Sequence, residues 1–152
     1  MGRMRGGTVL APILVWALSA CGGETEEPDT GPPPDTEGYD LTREVNSDGG
    51  SYTLRYVPEP DPIPPVANFA LLLSLSDATT GDPVEAAVLQ LDATMPEHNH
   101  GMNTRPPVVE VGAGTYRVEG MQFHMSGHWQ LEFRILHQDA VETAVFHAVC
   151  CE

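Results

Sequence analysis

The chain has 152 residues, a net charge of −15, 22 acidic side chains and seven basic ones, all of them arginine. That length fits one domain with extra segments, and so acidic a surface repels phosphate backbones, which excludes nucleic acid as a partner. Solubility of an exported protein accounts for most of the charge, and the rest amounts to a weak pull on cations over a Debye length of ~8–10 Å.

Residues 1–20 read as a signal peptide. Arg3 and Arg5 form a basic start, Thr8 to Leu18 is apolar, and Leu18-Ser19-Ala20-Cys21 follows. The apolar run falls short of the ~20 residues that span a bilayer as a helix. Small residues before a cysteine match a bacterial lipobox, in which Cys21 is lipidated and becomes the mature N-terminus. The competing reading is an uncleaved anchor helix with an incidental cysteine. On the lipobox reading the protein is held in the cell envelope by Cys21, at the outer membrane, its periplasmic face or the cell surface. Residues 21–48, as in GGETEEPDTGPPPDTEG, are too rich in Gly, Pro and acid to bury a core. They read as a solvated tether.

Residues 49–152 are expected to fold. SYTLRYV alternates Tyr52, Leu54 and Tyr56 on one face, as a half-buried strand does. Pro58 to Pro65 breaks regular pairing and belongs at an edge. NFALLLSLS, Asn68 to Ser76, is an apolar strand, and DATTGDP after it is turn chemistry. Val84 to Thr94 follows, with Ala87, Leu89, Leu91 and Ala93 inward and Gln90 and Asp92 outward. Val108–Val111 and Thr115–Glu119 make a hairpin around Gly112-Ala113-Gly114. Trp129, Leu131, Phe133 and Ile135 alternate through the next strand, and Val141 to Val149 through the last. Helical periodicity is absent after residue 21. The expected fold is all-β, an immunoglobulin-like antiparallel β-sandwich of about seven strands.

Between two of those strands lies MPEHNHGM. His98, His100 and Met102 recur at period two, which in an extended run sets their side chains on one side of the backbone, and Met95 is placed at the rim. A second cluster, MQFHMSGHW, supplies Met121, His124, Met125 and His128. Loops gather at the ends of a sandwich, so the two clusters can meet. Thioether sulfur is a soft ligand that selects Cu(I), and imidazole suits both copper states. Zinc prefers His with Cys or carboxylate, whereas calcium and magnesium want oxygen. Core packing alone would account for Met121, Met125 and Trp129, because methionine fills irregular gaps. His137 and His147 fall on strands, away from both clusters, and read as ordinary. The vicinal pair Cys150-Cys151 is open to three readings: plain tail residues, redox or intermolecular pairing, or metal ligands. Enzyme signatures such as GxSxG, HExxH or a phosphate loop are missing, and no catalytic role is expected.

From Asn68 to Leu131 the chain resembles the YtkA-like domain, related in pattern to the periplasmic part of FixH. The resemblance rests on Asn68-Phe69, TGDPVEAA, MPEHNHGM, Pro106-Pro107, GTY and FHMSGHWQL. It implies an immunoglobulin-like sandwich and a role in copper handling or cytochrome oxidase maturation. Carried onto this chain, it sets Met95, His98 and His100 at the positions of the family's Met and two His, and Met125 at the methionine of F-x-M-x-G-x-W. Asn99 stands where the family often has glycine, and Ser126 where it often has proline. His124 and His128 are additional to the pattern.

Two functions follow as expectations. One is a lipid-anchored copper-binding protein with Met95, His98 and His100 as primary ligands, Met102, His124 and Met125 completing the set, and a delivery partner for the metal. The other is a structural or protein-interaction module in which the loop docks a partner.

Overall fold

A computed structural model describes residues 38–151 together with Gly2. The signal segment, Cys21 and most of the expected tether lie outside the described residues. By internal contacts the chain divides into Met1–Thr30 and Gly31–Glu152, and the fold belongs to the second of these.

The described part is a β-sandwich. One sheet is ordered β1 (Glu44–Asn46), β2 (Tyr52–Glu59), β3 (Phe69–Asp77), β7 (Thr115–Met121), β6 (Val108–Gly112). The other is ordered β5 (His100–Gly101), β4 (Val88–Met95), β8 (Gly127–His137), β9 (Ala140–Cys150). Every pairing is antiparallel. All seven expected strands are present, and the short β1 and β5 are added to them. β1 pairs with β2 ahead of the expected domain boundary, so the folded part reaches back into the stretch read as tether.

Period-two alternation decides which faces meet. Leu54 and Tyr56 of β2, Leu71, Leu73 and Leu75 of β3, and Trp129, Leu131, Phe133 and Ile135 of β8 all turn inward and are buried. Each such aliphatic or aromatic side chain contributes ~1.5–3 kcal/mol on leaving water. Tyr56 meets Phe146 edge-to-face across the sandwich, with centroids 5.0 Å apart. Pro58 lies near the end of β2 (Tyr52–Glu59), beyond the reach of β1, where its missing N–H breaks no ladder.

β4 starts later than its hydrophobic pattern predicts. Val84 is buried, but Ala86 adopts a positive φ of 58° that interrupts the strand. Tyr116 from the other sheet clamps this segment: its hydroxyl donates to the Val84 carbonyl at 2.9 Å and accepts from the Ala87 N–H at 3.1 Å. Buried backbone groups need partners, and here a side chain supplies them in place of a ladder. No helix among the described residues is long and apolar enough to cross a membrane.

Candidate metal centre

β4 delivers the chain to one end of the sandwich at Met95, and a single 3-10 turn, Pro96–His98, carries it back to β5 at His100. Proline suits the first position of such a turn, where its missing N–H has no partner to lose. Asn99 closes the turn in the left-handed region, at φ 53° and ψ 39°. Asparagine tolerates that conformation better than other residues with a side chain, as glycine does. The expected extended run through His98 and His100 is thus corrected to a tight turn, and it is the turn that brings the two imidazoles to 5.8 Å between centroids.

The link from β7 to β8 faces this turn. It holds the His124 ring 5.0 Å from that of His100 and the Met125 Sδ 3.2 Å from His100 Nε2. Trp129 is the floor, fully buried, with His100 and His124 edge-on to it at 6.2 and 5.5 Å. Phe123 stacks on the indole at 4.3 Å, and indole Nε1 donates to the Met125 carbonyl at 3.1 Å. Met125 is therefore fixed by its backbone while its side chain stays 38% exposed, which answers the core reading of this residue.

His100 Nδ1 is buried without a hydrogen-bond partner, the one such side-chain nitrogen or oxygen among the described residues. Leaving a buried polar atom unsatisfied costs ~1–3 kcal/mol. The orphan is not the nitrogen beside Met125; it is the other one, Nε2, that stands with a thioether and two neighbouring imidazoles as a soft-metal donor set. The 3.2 Å between Nε2 and Sδ is a span that two donors can share at metal–ligand distances of ~2.0–2.3 Å. Among the described residues no three His, Cys, Asp or Glu side chains group as a metal site by themselves, so at this end of the sandwich the Met125 thioether belongs to the donor set.

Residues 44–134 match the sequence profile of the YtkA-like family, more than half of the chain. The protein belongs to the YtkA-like family. No curated protein and no solved structure matches it. The match extends beyond the stretch from Asn68 to Leu131 on which the resemblance was read, and takes in β1 and β2.

In this YtkA-like chain the two other methionines of the expected set are placed differently. Met95 continues the inward row of Leu89, Leu91 and Ala93 and is 1% exposed, so the expected rim position becomes a core position. Its methyl lies 3.0 Å from where a Cβ on Gly127 would stand, so a side chain there would have to press it aside. Met102 is half-buried, packs on the margin of the core, and donates its N–H to the Ala93 carbonyl. Met125 is the methionine that reaches an imidazole.

A second histidine group lies on the outer face of the four-stranded sheet. His128 Nδ1 is 3.0 Å from Glu97 Oε1, and His128 Nε2 is 2.8 Å from His147 Nδ1. Tyr39 stacks on His128 at 3.6 Å between centroids and donates its hydroxyl to Glu97 Oε1 at 2.5 Å. That hydroxyl first, then Glu97's own N–H, and His128 among the remaining causes, pull the Glu97 carboxyl down to about 2. Burial, helped by nearby His128, lowers the His147 pKa. His147 is thus not remote from the clusters, as its strand position had suggested. The outward parity of His128 and His147 was readable, but the adjacency of their strands was not. Tyr39 gave no signal, because it follows the Pro/Gly-rich stretch.

At the end of β9, buried Cys150 and half-buried Cys151 bring their sulfurs side by side. Both sulfurs face the Pro64 carbonyl.

Proposed function

We propose that this YtkA-like protein is a lipid-anchored, extracytoplasmic copper-binding protein that buffers, senses or hands on Cu(I) and carries out no catalysis. His98, His100, His124 and Met125 are the donors, with Met102 at the margin. The observation that carries this reading is His100: one ring nitrogen 3.2 Å from the Met125 sulfur, the other buried and unpartnered, and imidazoles on both sides. Soft sulfur with neutral imidazole selects Cu(I) over zinc, calcium or magnesium. On this reading Cys21 anchors the protein in the cell envelope, and a partner receives or supplies the ion.

Anaerobic titration of the full chain with Cu(I) tests it. One equivalent is expected to bind tightly, and H98A/H100A and M125L are each expected to weaken binding at least tenfold. Unchanged affinity in H98A/H100A would favour the interaction module, in which the same turn contacts a protein.

A further inference from the structure

Tyr39, Glu97, His128 and His147 form a chain of contacts that the His/Met site does not use. His128 Nδ1 faces Glu97 Oε1 at 3.0 Å, an oxygen that also accepts from the Tyr39 hydroxyl, so the His128 proton that this contact uses sits on Nδ1. The remaining nitrogen, Nε2, is then a lone-pair donor, and it points at His147 Nδ1 across 2.8 Å. A carboxylate fixing the far nitrogen of an imidazole is the usual support of a metal-ligating histidine, orienting the ring and raising its basicity. His147 is the more open of the two rings, and Asp40 is near enough to act on it electrostatically. Tyr39 covers the His128 face at 3.6 Å and lies 5.2 Å from the His147 ring.

From this geometry we propose a second cation site at His128 and His147, oriented by Glu97 and selective for a borderline divalent ion such as Cu(II) or Zn(II). The ion takes the place of the proton that His128 Nε2 and His147 Nδ1 share, and His147 carries its proton on Nε2 instead, as the other neutral tautomer. Two nitrogens 2.8 Å apart can both lie ~2.0–2.1 Å from one ion. Water fills the open positions. The site holds no sulfur, which is why it takes a harder ion than the thioether site. It does not depend on the Cu(I) reading, since the two sites share no donor.

Two measurements on the full chain test it. Under oxidising conditions, Cu(II) is expected to give an electron paramagnetic resonance spectrum with coupling to two imidazole nitrogens. H98A/H100A should keep that signal, whereas H147Q should weaken binding at least tenfold. E97Q, which removes the orienting charge, should weaken it ~10–100-fold. A two-nitrogen signal that persists in H147Q, that is lost in H98A/H100A, or that never forms in the unaltered chain overturns the site. The second measurement needs no variant. Zn(II) added to 15N-labelled protein must shift His128 Nε2 and His147 Nδ1, and unmoved resonances overturn the proposal whatever the variants do. Cu(I) titration of H147Q reports the thioether site separately, so failure of one site is distinguishable from failure of the other.

Discussion

The two ends of the sandwich treat their polar groups differently. At the end where β2 begins, Ser47 is buried and its hydroxyl donates to Glu142 Oε2 at 2.6 Å while accepting from the Tyr52 N–H at 3.1 Å. The same carboxylate oxygen accepts from the Ser51 N–H, Asp48 accepts from the Thr143 N–H, and the Tyr52 hydroxyl meets His137. At the other end the buried His100 Nδ1 has no partner. The first arrangement is what a fold needs to close its loops over a core. The second carries an uncompensated cost, and residues that destabilise locally are expected where a site serves a ligand.

The strongest way to break this contrast is to remove the floor of the histidine end. Replacing Trp129 by Ala leaves a cavity under His100 and His124 and is expected to cost ~3–5 kcal/mol, read from the urea midpoint. A Cu(I) affinity that survives this loss of the floor would mean the end is not held by its packing.

Acid sharpens the contrast at the opposite end. Donors from Ser47 and Ser51 hold the Glu142 carboxyl below the ordinary glutamate range. Its contribution is therefore complete above the unfolded value of 4.5 and is lost as pH falls through the lowered folded value. E142Q is expected to cost about 1 kcal/mol near neutrality and to flatten the fall in stability below that value. Thermal unfolding across pH 3–6 reads both effects, and a parallel curve for E142Q would deny the carboxylate this role.

The smallest effect is expected in the opposite direction. H100F removes the unpartnered nitrogen and keeps a ring over Trp129. It should be neutral or stabilising by up to ~1 kcal/mol, while abolishing tight Cu(I) binding. A clear loss of stability would show that His100 serves the fold.

The sheets were legible because alternation in SYTLRYV and in Trp129 to Ile135 carries both strand and face. The inward set Leu89, Leu91 and Ala93 was readable from the same rule, and Met95 should have been added to it. Its place beside a histidine motif drew it toward the rim, but parity puts it in the core. The Asn99 turn was missed because period-two spacing describes a strand and a left-handed residue ends one. His98, His100, His124 and Met125 could be nominated from composition, since their residue types are rare together. What composition could not supply was strand order. β8 and β9 are neighbours, so His128 and His147 meet; a sequence shows two outward histidines nineteen positions apart and nothing of their contact.

Tyr39 has a mechanical consequence. It precedes β1 in the chain, yet its ring and hydroxyl are fastened to His128 and Glu97, and Glu97 is next to His98. Tension from the N-terminal side loads this buckle ahead of the first strand. A pull from that side would slacken the turn that carries His98 while the apolar rows of the sandwich beneath it stayed shut.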